Sequence, residues 1–390
     1  MNLSKRILFV IPTLCTGGIS SSLTGIINLH DSQNTFIRVI AIAHEENSPM
    51  LFKNKLLPKN KLWSAYYCKY SNIHKNWNLF LIVIKTLKRI SLALGINMEK
   101  YICKKGIKDI EKKYKFDCVI AFQEGDATKF VSYLNYSTKI AWIHCDYNKY
   151  LPKDKSEKSL YSQYQKIVCV SDYTANVFRN RYPDLAQKTI SIHNSIDQER
   201  IKKMSLKTIT DNRFTHNIFT IISLGRIAPV KRFYLIPQIA NQLLEKGCSF
   251  KWYILGPNSV PEEMEHLTNN IKKYGVNKTV IWLGNKNNPY PYFAHSDLLV
   301  TLSSSEACPM IFNEAKITQL PVVSSDFGSS KEFINNGIDG IISPVKKMSE
   351  AIFQMTGNTK KYQLIKKNIS NFNCDNSAIK NKLIKLLQGI

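Results

Sequence analysis

The chain has 390 residues, 44% of them hydrophobic and 11% aromatic, with 16 glycines and 14 prolines, which supplies core for about two domains and excludes a disordered, collagen-like or low-complexity polypeptide. Lysine and arginine number 54 against 29 acidic residues, a net charge of +25 carried by both halves of the chain. Such an excess predicts a polyanionic neighbour: nucleic acid, an anionic membrane face or a phosphate-bearing substrate.

Nine cysteines are scattered from Cys15 to Cys374 without a C-x-x-C pair, which removes zinc-ribbon and thioredoxin-like chemistry and fits a reducing compartment. The opening MNLSKRILFVIPTLCTGG has the outline of a signal peptide, but its short apolar run passes into a Gly-Gly loop and reads as a first strand. The longest apolar run elsewhere, Leu79 to Ile84, is far below the ~18 residues of a membrane-spanning helix. The expectation is a cytoplasmic protein, soluble or peripheral on the inner face of the membrane.

In chain order, a strand over Arg6–Ile11 is followed by a loop (Pro12–Gly18) and a helix (Ile19–Leu29). Strand-like runs recur at Phe36–Ala43, Asp117–Phe122, Lys139–His144, Lys166–Val170 and Thr189–His193, mostly with helical patterns between them. A polar stretch, Lys202–Asn217, interrupts the rhythm. It then restarts with a strand at Ile218–Leu224, a helix at Arg232–Leu244, a strand at Phe250–Leu255 and a helix at Glu262–Lys273. Strands at Val280–Leu283 and Asp297–Leu302, a helix at Pro309–Thr318 and strands at Pro321–Ser324 and Gly340–Ile342 complete it, before a helical tail from Thr359. Alternation of this kind predicts βαβ units in two doubly wound α/β domains, with ligands outside the carboxyl ends of the strands.

The densest chemistry lies at those carboxyl ends. Glu306 and Glu314 are separated by seven residues, and Pro309–Phe312 between them would form a helix N-terminus, whose free N–H groups favour an anion. Flanking carboxylates suit the hydroxyls of a sugar on each side of a phosphate pair; the plainer alternative is two acids near a helix start. Gly225-Arg226-Ile227-Ala228-Pro229-Val230-Lys231-Arg232 follows the 218–224 strand, where Arg226 and Lys231 suit phosphate oxygens. The alternative, a solvated basic turn, is the expectation for Arg232.

Together these residues resemble glycosyltransferase family 4, retaining enzymes of the GT-B fold, of the type that builds bacterial surface polysaccharides. The resemblance rests on Gly225-Arg226 with Lys231, the Glu306/Glu314 pair and the PVVSSDFGSSKEFI segment from Pro321. It implies two Rossmann-like domains facing across a cleft: an acceptor-binding domain over 1–205, a nucleotide-sugar-binding domain over 216–365, and a C-terminal helix, 366–390, returning to the first. It further implies that Arg226, Lys231, Glu306 and His144 are catalytic. The donor would meet Gly17, Gly18, Gly225, Arg226, Lys231, Glu306, Pro309, Met310, Ile311 and Glu314. Gly17 and Gly18 would allow close backbone approach, or form an ordinary helix-entry turn; His144 would face the sugar, or be structural. Ser195 and Ala307 stand where the family usually has glycine, and Cys308 reads as a small packing residue.

The implied reaction moves a hexosyl residue from a nucleotide-diphosphate sugar, a UDP-sugar in the first instance, to an oligosaccharide or lipid-linked acceptor in capsule, O-antigen or lipopolysaccharide synthesis. With no D-x-D tripeptide, the cations and the helix terminus would neutralise the diphosphate, so no metal and no cofactor is expected. Trp77–Gly95 combines an apolar face with Lys85, Lys88 and Arg89, and further lysines follow to Lys115. This pattern fits contact with an anionic membrane, or a helix packed on the first sheet with solvated lysines. The competing functions are a nucleic-acid binder, disfavoured because no recognition module is present, and a non-catalytic relative that only binds nucleotide sugars. A dinucleotide-dependent oxidoreductase lacks its G-x-G-x-x-G loop.

Overall fold

The structure is a computed structural model that describes residues 5–14, 17–30, 35–45, 55–58, 60–67, 79–150, 157–357 and 359–389. Cys15 and Trp77, named above, and the last position of the 366–390 helix lie outside them. Two compact units emerge. One comprises Met1–Ser195 with Ser377–Ile390, the other Ile196–Asn376.

The first unit is built on six parallel strands, β1 (Arg6–Leu14), β2 (Phe36–Glu45), β3 (Cys118–Ala121), β4 (Lys139–Ile143), β5 (Lys166–Cys169) and β6 (Thr189–Ser191), in the order β2-β1-β3-β4-β5-β6. The apolar runs that predicted these strands are unbroken because helices cover both faces of the sheet. Ile7, Leu8, Phe9 and Val10 in β1 are all buried. β1 outlasts its predicted end at Ile11, and its register on β2 shifts between Ile11 and Thr13, where Pro12 interrupts the ladder.

Gly25, in the helix Gly18–His30, has a local steric reason: a Cβ there would lie 2.2 Å from Ser195 Oγ. The serine at 195 therefore meets a helix that offers no side chain at the point of contact. Beside it, Ser22 Oγ donates to Asn194 Oδ1 at 2.5 Å. The last helix, Ser377–Gln388, belongs to this unit through buried Leu383, Leu386 and Leu387, and Lys382 Nζ donates to Ser191 O.

The helix Leu79–Ala93 is inverted relative to a core helix. Lys85 is buried beside Ile84, its ammonium donating to Tyr66 O at 2.9 Å, whereas Ile82, Val83, Leu87 and Ile90 are 40–49% exposed. Leu92, Leu94, Ile96 and Tyr101 continue the exposed apolar surface past its end. No helix among the described residues is long and apolar enough to cross a membrane.

The second unit repeats the architecture with β7 (Phe219–Leu224), β8 (Phe250–Leu255), β9 (Val280–Gly284), β10 (Leu298–Thr301), β11 (Val322–Ser325) and β12 (Ile341–Ser343), all parallel in the order β12-β11-β10-β7-β8-β9. Strand order reverses between β7 and β10, so the loops leaving these two strands flank the switch point. The helix expected from Arg232 begins only at Ile236, because Arg232 has a left-handed backbone between two short 3₁₀ turns. The two ends of this unit are joined to each other: Asn376 Nδ2 donates to Ile196 O at 2.9 Å, and Gln198 Nε2 to Asn373 Oδ1 at 2.8 Å.

Candidate functional site

The loops at the β7/β10 switch point bring together most of the residues singled out in the second half of the sequence. Gly225 ends β7 with φ 154°, and its N–H donates to Leu255 O at 2.9 Å. Its missing side chain leaves room for Lys231, whose Cε would stand 2.9 Å from a Cβ. Gly256, at the end of β8 with φ 142°, lies against the backbone of Gly225: a Cβ on it would fall 1.8 Å from Gly225 O. Two glycines thus let the strand ends close on one another and lay the Lys231 stem across the turn.

Lys231 reaches the loop after β10, where its ammonium pairs with Glu306 Oε1; both side chains are about one-fifth exposed. Ser303 Oγ donates to the same carboxylate oxygen at 2.8 Å, and Ser329 Oγ donates to the Glu306 backbone carbonyl at 2.7 Å. The cation expected to meet phosphate and the carboxylate expected to meet sugar are therefore partners of one another. Arg226 is exposed on the same turn, with no partner for its guanidinium among the described residues.

Arg232 departs from its expectation as a solvated basic residue. It is half-buried, and its guanidinium donates to the carbonyls of Leu302 (2.6 Å) and Ser303 (2.7 Å). Nothing local in the sequence announces this, because the acceptors lie 70 and 71 residues away.

The helix Met310–Ile317 starts after Pro309 with no capping side chain and no acid in its first turn, and its first N–H, at Met310, donates to Cys308 O at 2.9 Å. Pro309 is buried, Met310 and Ile311 are half-buried, and Met310 packs with Ile196, Ile201 and Ile317. Buried Lys316 anchors the helix, donating to Phe333 O at 2.8 Å and pairing with Asp339 at 2.6 Å. One turn into the helix, Glu314 accepts from Tyr290 Oη at 3.3 Å, with Arg200 nearby. Burial pushes the Glu314 carboxyl up to about 7, against the opposing pull of Tyr290 and Arg200. Tyr290 and Arg200 carried no sequence signal.

His144, Gly17 and Gly18 belong to the first unit. His144 follows β4 with its ring 4.7 Å from Phe122, and its backbone N–H donates to Glu124 Oε2 at 2.8 Å. Burial lowers the imidazole to about 3, so the ring is neutral at neutral pH, and Nε2 is buried without a partner among the described residues. Glu124, which sequence reading passed over, is itself pushed up by burial. Its only advance signal is its place after β3 in Gln123-Glu124-Gly125. Gly17 and Gly18 do not have positive φ, and among the described residues a Cβ on either would meet nothing within 4 Å.

With this geometry in place, the likeness to known proteins is specific. Residues 207–372 match the family Glycosyl transferases group 1. The matched range holds Gly225, Arg226, Lys231, Arg232, Gly256, Tyr290, Ser303, Glu306 and Glu314, together with Lys316 and Asp339, and leaves out Arg200, Ile196 and Ile201. An uncharacterised glycosyltransferase of Methanocaldococcus jannaschii is 22% identical over 207 residues, 53% of this chain and 50% of that protein. The chain thus spans about half the length of that relative.

Among solved structures, HepE of Anabaena in complex with UDP and glucose has a TM-score of 0.70 at 15% identity, covering 99% of this chain and 100% of HepE. TarM of Staphylococcus aureus in complex with UDP, alpha-GlcNAc-glycerol and fondaparinux also has a TM-score of 0.70, at 14% identity and 98% and 99% coverage. The fold expected from the sequence, GT-B with two Rossmann-like doubly wound α/β domains, is the fold observed.

Proposed function

We propose that the chain is a retaining glycosyltransferase of family 4 type. It would transfer a hexosyl residue from a nucleotide-diphosphate sugar, first among them a UDP-sugar, to a growing lipid-linked glycan in bacterial capsule, O-antigen or lipopolysaccharide synthesis. The observation that most supports this is the Lys231–Glu306 pair beside the uncapped start of the helix Met310–Ile317. A cation, a carboxylate and a helix terminus there offer complementary partners to a phosphate and a sugar. HepE holds UDP and glucose, and TarM holds UDP, on the same fold.

In this mechanism Arg226 and Lys231 grip the diphosphate, whose negative charge grows as the glycosidic bond breaks, and the helix start at Met310 and Ile311 adds to that stabilisation. Glu306 accepts from hydroxyls of the transferred sugar and Glu314 from the ribose hydroxyls. His144, neutral and with Nε2 unpartnered among the described residues, hydrogen-bonds a sugar hydroxyl, and Gly17 and Gly18 admit ligand close to the backbone. The leaving phosphate takes the acceptor proton on the face it departs from, so the anomeric configuration is kept without an enzyme nucleophile. Two cations and a helix terminus carry the charge role a metal would otherwise fill, and no metal is assigned.

A peripheral membrane location accompanies this function. The exposed apolar side chains Ile82, Val83, Leu87 and Ile90 lie on the helix that precedes the run of lysines from Lys100 to Lys115, a combination suited to an anionic bilayer and a lipid-linked acceptor.

A thermal-shift and hydrolysis screen of nucleotide sugars on the purified protein tests the function. Stabilisation by UDP and turnover of one UDP-sugar are expected. Saturable nucleic-acid binding at physiological salt with no response to any nucleotide sugar would replace this function with the nucleic-acid alternative.

A further inference from the structure

We propose that Arg232 is a positioning residue for the glycosyl-transfer site. Its guanidinium fixes the loop carrying Ser303 and Glu306 against the turn carrying Lys231, and its bearing on turnover rests on the function proposed above. Arg232 has φ 51° and ψ 36°, and among the described residues only one other non-glycine, Gln319, has a positive φ. This backbone is disfavoured for a residue with a Cβ, and glycine would adopt it freely. The helix that follows does not need the residue, since it begins four positions later.

The side chain accounts for an arginine here. Nε donates to Leu302 O at 2.6 Å and Nη2 to Ser303 O at 2.7 Å, so one planar fork takes two consecutive peptide carbonyls. A lysine ammonium has no such fork. Ser303 O accepts a second bond from Ser325 Oγ at 2.6 Å, which fills its remaining lone pair. A backbone strut reinforces the joint: Ser304 N–H donates to Val230 O at 2.8 Å. With the Ser303 backbone pinned, its hydroxyl is aimed at Glu306 Oε1, the oxygen that Lys231 also holds. Consecutive residues of one turn thus grip one loop at two points, Arg232 by its carbonyls and Lys231 by its carboxylate. The strained backbone is the condition for both side chains to reach the loop from adjacent positions.

The test uses the full-length protein and two variants. Arg232→Gly keeps the left-handed backbone without strain and deletes the fork; Arg232→Lys keeps the charge and loses the fork. Without ligand, amide exchange over Ser303–Glu306 is expected to accelerate roughly tenfold or more in Arg232→Gly, with the thermal midpoint near that of wild type. Turnover of the UDP-sugar found by screening is expected to fall roughly 100-fold in both variants, concentrated in kcat, as befits a carboxylate displaced from the reacting sugar. Unchanged exchange in Arg232→Gly overturns the clamp. Accelerated exchange with wild-type turnover, or a loss of kcat that disappears on cooling along with a lowered midpoint, overturns the positioning role. A wild-type protein that turns over no nucleotide sugar removes the role in turnover together with the proposed function, and the exchange measurement then still decides the clamp.

Discussion

The carboxyl group of Glu314 loses its proton only near pH 7, because burial withdraws it from water by more than Tyr290 and Arg200 restore. A ribose diol donates its hydrogen bonds to the ionised form, so donor KM should fall roughly tenfold between pH 6 and pH 8 as the ionised fraction rises. Glu314→Gln should flatten that profile. The stability effect has the opposite sign: a carboxyl whose folded value exceeds its ordinary 4.5 contributes stability below that pH and loses it as pH rises towards 7. Glu314→Gln should therefore raise Tm at pH 8 and leave it nearly unchanged at pH 4. Arg226→Ala and Lys231→Ala should each lower kcat by roughly 10²–10³-fold, the loss of one donor to a developing charge, with steady-state kinetics as the measurement. Equal losses in KM alone would mean that these cations only bind the donor. The seven-residue spacing of Glu306 and Glu314 was readable because a loop and one helical turn are local geometry. The Arg232 fork was not, because its acceptors are carbonyls brought near only by the sheet.

Among the elements, the parallel strands were the most legible, since burial on both faces writes itself as an uninterrupted apolar run. The start of the helix after β7 was misjudged by four residues, because Lys231-Arg232 continues a helical pattern that the left-handed backbone at Arg232 stops. The helix Leu79–Ala93 shows a different limit. Its apolar residues gave the stripe but not the direction in which it points, and a lysine, Lys85, is buried beside Ile84 and held by Tyr66 O. The outward apolar face and the lysines that follow should together bind anionic vesicles, each basic residue near the surface contributing about 1 kcal/mol. Replacing Lys104, Lys105, Lys108, Lys112 and Lys113 with glutamine should release the protein from phosphatidylserine-containing vesicles in a sedimentation assay. Co-sedimentation equal to that of wild type would reduce these lysines to a solvated surface.

For the molecule as a whole, charge and fold make one joint expectation. If cations and a helix terminus manage the diphosphate, EDTA should leave turnover intact, and NMR of the product should show the anomeric configuration of the donor. An inverted product, or turnover abolished by chelation and restored by a divalent ion, would overturn the mechanism.

The bonds that tie Ile196 to Asn376 and Gln198 to Asn373 reach further than packing. They make the second unit a closed loop of chain, entered and left at neighbouring points, inserted into a first unit whose last helix comes from beyond it. Its coding segment can therefore be lifted out as a cassette. A fragment spanning 196–376 should unfold in a single urea transition and bind UDP unaided. If the proposed function holds, genetic exchange of that segment between relatives should change which nucleotide sugar is used while the remainder of the chain stays in frame.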